Sequence, residues 1–347
     1  MLQYRNSNLK NIELCNFLLE IGFTNEEIIK IVFDPSFFVT YYDKVDVMVK
    51  NGYNYLIEKN YDKEKIKKII LRYPGILTFS SDKKNRVENY FNGLGIYNIE
   101  FRNMIYRCPN LYGYTIDRIK KYFDFFKQLG LSDNEIIHIL KNASSVFNRS
   151  ISTLKNMVND LNMYGIDNKK ISIISKNYPL FWSNNFEKIK GVVNSLIELG
   201  FNKDDSIRIL VRASSIAGYD NDTIKNKFKE IVSLQFSEEE VINMINIFPT
   251  IIVSDINRTR NIVHFFNNIG LHDELCHNPK SFFMQSIETS YARYMFYRDM
   301  HIEINKDTYR RLFYGWIWFK KTYGVTKGSL LGMYQYTKVD SNYREVK

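Results

Sequence analysis

The chain has 347 residues, 45% hydrophobic and 25% charged, with a formal net charge of +10 and a pI near 9.2. No apolar run approaches the roughly 20 residues that a membrane-spanning helix needs, and the positive balance favours a polyanionic partner. Cys15, Cys108 and Cys276 are scattered and odd in number, which argues against a disulfide framework and for a reducing compartment.

The N-terminal stretch MLQYRNSNLKNIELCNFLLEIGF has no apolar signal core and runs straight into helical periodicity. A cytoplasmic location is expected, organellar only if a presequence has been removed. Residues 1–55 read as an irregular first repeat around Pro35, because a fixed beat begins after them. Pro74, Pro109, Pro179 and Pro249 fall on a grid of 35 residues, completed by Ser144 and Ser214. The two serines sit in a phrase written twice, ILKNASSVF (139–147) and ILVRASSIA (209–217). Glycine keeps the same period at Gly95, Gly130, Gly165, Gly200 and Gly270, with Gln235 in the remaining place. A period in this range marks a solenoid built from one supersecondary unit per repeat.

Within a unit such as 129–165, Gly130 ends the preceding helix in the left-handed conformation. The position after the apolar residue that follows is Asp62, Tyr97, Ser132, Asp167, Asn202, Ser237 or His272, mostly residues able to cap a helix start. Ile136, Ile139 and Leu140 then recur at helical spacing, as do Phe101, Met104 and Ile105. Proline stops this short helix. An apolar turn follows, and a second helix carries Leu154, Met157, Val158 and Leu161 toward the next glycine. The expected fold is an all-α solenoid of helix-turn-helix repeats over 56–285, the last one shortened around Pro279. Residues 286–347, rich in aromatics, are expected to form a helical cap. They carry eleven Lys and Arg against six Asp and Glu. A monomer is expected.

Catalytic constellations are missing from the sequence. There is no Walker A loop, no GxGxxG after a strand, no GxSxG and no HExxH. In HDELCHNP (272–279), His272 and Cys276 are spaced i,i+4 and could share a metal. With few further ligands nearby a structural role is favoured, and no cofactor or metal is expected. The aromatic residues could stack on bases, but Phe123, Phe126, Phe228 and Phe266 fall on the buried stripe, where core packing explains them better.

Charge is more informative on the grid. Eleven residues past successive grid points stand Asn85, Lys120, Lys155, Lys190, Lys225 and Arg260. The residue before each is mostly apolar, as at Ile119, Leu154, Ile189 and Ile224, so the cations border the buried stripe of the second helix. A second set, Arg72, Arg107 and Arg212, precedes the grid residues. The competing account is local pairing, since Asp117, Ser152, Glu187, Asp222 and Asn257 stand three residues before the five cations. Ligand binding is slightly favoured.

The succession Leu-x3-Gly-apolar-cap, Ile-x-x-Ile-Leu, then Lys or Arg shortly before Pro-x-Leu resembles the repeat of the mitochondrial transcription termination factor family, mTERF. LGLSDNEIIHILKNASSVF and LGIYNIEFRNMIYRCPNLYG carry it, and NPKSFFMQSIETSYARYMFY (278–297) looks like that family's C-terminal segment. The resemblance implies a curved helical superhelix with a basic groove for duplex DNA or structured RNA, in transcription termination or regulation, replication or ribosome assembly. It also makes Arg72, Arg107, Lys141, Lys176, Arg212 and Arg293 candidate backbone contacts. The alternative is a protein-interaction scaffold of the armadillo or TPR kind that holds an acidic peptide or partner protein.

Overall fold

A computed structural model of the chain describes residues 12–37 and 45–337. Among the described residues every regular element is helical and there is no strand. Two compact units divide the chain, Met1–Asn185 and Phe186–Lys347.

The first unit opens with a helix over 12–20, then Asn25–Val32 and Val45–Glu58. Repeats on the grid follow, with first helices Lys63–Arg72, Asn98–Arg107, Asp133–Asn142 and Asn168–Asn177 and second helices Ser81–Gly93, Ile116–Gln128 and Ile151–Tyr164. The second unit holds second helices Phe186–Glu198, Asn221–Val232 and Ile256–Asn268, and first helices Lys203–Arg212 and Glu238–Ile247. Each first helix ends at a five-residue 3-10 turn that starts on the grid residue, from Pro74–Thr78 to Pro249–Val253.

Local chemistry accounts for these boundaries. Proline opens four of the turns, a place where its missing N–H is no loss. Ser144 and Ser214 open the other two, and their hydroxyls donate to the carbonyls of Met104 and Val211. Asp62, Ser132, Asp167, Asn202 and Ser237 cap their helices through side-chain oxygens. Tyr97 caps without a side-chain bond, and His272 is no cap at all, because its helix begins at His272 with Leu271 before it. The glycine phase is left-handed throughout, and Gln235 takes the conformation too, at φ 74°.

The 3-10 turns form much of the core. Ile76, Leu77, Leu111, Phe147, Phe181, Trp182, Ile216 and Ile252 are fully buried. Trp182 packs edge-on against Phe125, Phe126 and Phe181 and donates its indole N–H to Ser175 Oγ at 3.0 Å. Burial of a side chain of this kind is worth about 1.5–3 kcal/mol, and no repeat holds enough of them to stand alone. On Val45–Glu58, a Cβ added at Gly52 would lie 2.2 Å from the Leu77 carbonyl oxygen, so this helix rests directly on the next turn.

The last repeat is compressed. Its first helix is only His272–His277, followed by Pro279–Met284 and the tail helix Ile287–Asp299. Phe282 meets Phe266, Tyr309 and Phe313, which joins tail to repeat. Arg293 is 1% exposed and lies over the rings of Trp316 and Phe319 at 4.3 and 5.0 Å. It donates to the Leu312 carbonyl at 2.7 Å. A guanidinium enclosed in this way ties the tail together, where the resemblance implied a backbone contact for it.

Candidate nucleic-acid interface

The two sets of cations have different surroundings. Of those at the ends of the first helices, four are bonded to neighbouring repeats. Arg72 donates to the Tyr106 carbonyl and lies 5.1 Å from the Tyr106 ring. Arg107 donates to the carbonyls of Lys141 and Asn142, both at 3.0 Å. Each arginine therefore satisfies carbonyl oxygens at the C-terminal end of the next first helix, where the helix dipole favours a cation. Lys141 reaches back to Glu100 at 2.8 Å, and Lys176 to Glu135 at 3.2 Å. Arg212, in the second unit, is exposed and makes no such bond among the described residues.

The second-helix series is turned outward. In the first unit Lys120 and Lys155 are exposed and have neither hydrogen bond nor ion pair among the described residues. In the second unit Arg260 is exposed and donates to Asn257 at 2.7 Å, while Lys190 stands 3.8 Å from Glu187 with 41% of its side chain exposed. Local pairing thus holds for two of the five. Lys225 pairs with Glu198 at 2.6 Å and not with Asp222, and that carboxylate holds the ammonium pKa above its usual value.

Each unit contains the same groove. In the first, Gln128, Leu129, Lys155 and Val158 line a cleft of about 240 Å³ between successive second helices. In the second, Ser233, Leu234, Arg260 and Val263, three periods later, line one of about 310 Å³. A cation stands in each, beside amide or hydroxyl groups and above an apolar floor. Such a site suits a phosphate, since an exposed ammonium or guanidinium can replace the counterions condensed on a polyanion and release them. Glu198 occupies the position of Gln128 and Ser233, one period before the Arg260 cleft. There it neutralises Lys225.

Two features escaped the sequence reading. Lys84 stands at the phase of Ile119 and Leu154, on the buried stripe, and is fully buried. Its ammonium has no hydrogen-bond partner among the described residues and lies 4.9 Å from the Tyr55 ring, and burial pushes its pKa down to about 8. The grid would have found it, as a lysine where other repeats write an aliphatic residue. Glu198 was equally visible as the acid that breaks a neutral position.

Period, turn and helix order define a helical-repeat protein of the solenoid class. The mTERF family model matches residues 1–129 and 119–235, and the chain belongs to that family. No curated protein matches the chain.

Proposed function

We propose that the protein is a non-enzymatic nucleic-acid-binding factor that holds the phosphate backbone of duplex DNA or structured RNA on its second-helix cations, in transcription termination or its regulation. The recurrence in both units of a cleft with an unburied cation, Lys155 in one and Arg260 in the other, carries this conclusion. Family membership supports it. Lys120, Lys155, Lys190 and Arg260 supply the contacts, Arg212 extends them, and Lys225 stands in the same series but is held by Glu198. Arg72, Arg107, Lys141 and Lys176 hold the repeats together.

The test is affinity for duplex DNA and for structured RNA across a salt series, with thermal melting alongside. Changing the five second-helix cations to glutamine should reduce the salt slope on duplex DNA by about 0.9 per lost contact and remove most nonspecific affinity. Stability should change by at most roughly 2 kcal/mol, since exposed helical pairs are worth about 0.2–0.5 kcal/mol each. An unchanged slope in that variant, with loss only when Arg72, Arg107 and Arg212 are replaced, would move the site to the first-helix ends. Unchanged slopes in both would favour a protein scaffold.

A further inference from the structure

Four first helices place a glutamate at their third position, namely Glu27, Glu100, Glu135 and Glu240. Three of them are answered by a lysine of the next repeat. Lys67 lies 2.9 Å from Glu27, Lys141 2.8 Å from Glu100 and Lys176 3.2 Å from Glu135. Lys67 stands seven residues before its grid residue, and Lys141 and Lys176 stand three before theirs. Counted back from Pro279, the same two positions hold His272 and Cys276. At this junction no lysine among the described residues answers Glu240, and two metal-binding side chains stand in its place.

The three groups converge. Glu240 Oε1 lies 3.9 Å from His272 Nε2 and 3.9 Å from Cys276 Sγ, and Sγ lies 3.8 Å from Nε2. We propose that Glu240, His272 and Cys276 bind a divalent transition-metal ion of the zinc class, which takes the place that a lysine ammonium holds at the other junctions. Thiolate, imidazole and carboxylate together suit zinc in preference to calcium or magnesium. Bond lengths of about 2.0–2.3 Å in a tetrahedron set donor separations of roughly 3.4–3.6 Å, so each pair needs to close by only a few tenths of an ångström.

The surroundings fix each donor. His272 Nδ1 is 2.9 Å from Asn267 Oδ1, an acceptor, which puts the proton on Nδ1 and leaves the Nε2 lone pair facing Glu240 and Cys276. The imidazole stacks on Phe236 at 5.0 Å and 18°, which holds its plane. Glu240 Oε2 accepts from the Ser237 amide at 2.7 Å and hydroxyl at 2.9 Å, and so Oε1 is directed at the other two donors. These bonds also keep the Glu240 carboxyl below the usual carboxylate pKa. Three protein donors leave one tetrahedral position for solvent. The ion would join Glu238–Ile247 to His272–His277, the shortest first helix of the repeats. The site lies beyond the residues that the family model matches and does not depend on nucleic-acid binding.

The test is titration of the reduced full-length chain with Co2+, followed by Zn2+. The expected result is near-ultraviolet thiolate-to-cobalt charge transfer and visible bands of tetrahedral cobalt, saturating at about one ion per chain and displaced by zinc. Cys276→Ser should lose the charge-transfer band, and Cys108→Ser should keep it. Glu240→Gln, which retains an acceptor for Ser237, should keep the band and weaken the affinity. Asn267→Ala should weaken it by about 10- to 100-fold. Zinc should raise the melting temperature of the wild-type chain and leave that of Cys276→Ser unchanged. Absence of a thiolate band in the wild-type chain, or a band that survives Cys276→Ser, would overturn the proposal and leave the His272–Glu240 contact as the tie at this junction.

Discussion

The helices Ser81–Gly93 and Ile116–Gln128 occupy the same stage of successive repeats, yet their cations face opposite environments. In the second, Ile119 is buried and Lys120 exposed. In the first, the order is moved by one residue, with Lys84 buried and Asn85 bonded to the Tyr55 hydroxyl at 3.0 Å. One residue is about 100° of helix rotation, enough to carry an ammonium from the groove into the core. Net charge therefore does not predict binding charge. What decides it is the phase at which a lysine is written.

The largest effect that would sharpen this contrast is on stability. Folding lowers the Lys84 pKa to about 8, so the unfolded chain keeps the proton to higher pH than the folded one. The contribution of this group to stability should rise as pH goes from about 8 to about 10.4 and be flat on either side. Lys84→Met should raise stability at pH 7 by on the order of 3 kcal/mol and remove that rise, measured by urea unfolding at several pH values. A smaller effect is expected at the first-helix ends. Arg107→Gln leaves two helix-end carbonyls without their charged donor and should cost about 1–2 kcal/mol, with the DNA salt slope unchanged. Loss of slope with intact stability would break the distinction between the two cation sets. The smallest effect should come from Glu198→Gln. It frees Lys225 and should steepen the duplex-DNA salt slope by about 0.9, with stability altered by less than about 1 kcal/mol.

The repeat order was legible because its markers are residues with restricted backbones. Proline can open the 3-10 turn but cannot continue the helix before it, and glycine takes the left-handed conformation most readily. Even where serine or glutamine replaces them, the spacing kept the assignment. The partners of the cations were less legible. Helical spacing pointed Lys225 to Asp222, three residues away, but Glu198 on the preceding second helix takes it. Arg293 illustrates the same limit. A charged residue in an aromatic segment reads as surface, and only the packed tail shows two rings receiving the guanidinium. His272 and Cys276 were visible as an i,i+4 pair, whereas Glu240 comes from the previous repeat, 32 positions before His272.

The first-helix arginines reach forward by a nearly constant number of residues. Arg72 bonds to residue 106, and Arg107 to residues 141 and 142. Such a chain can change its length only in whole steps. Removing 110–144 would bring Arg107 to the end of Asn168–Asn177 and leave Arg72 and Arg107 each with a helix end to hold, whereas inserting four residues into one helix would misplace the bonds on both sides of it. Growth by copying whole repeats is thus permitted by the geometry, and drift in the length of any one of them is opposed. The junction at Pro279, only 30 residues after Pro249, is where this rule lapses.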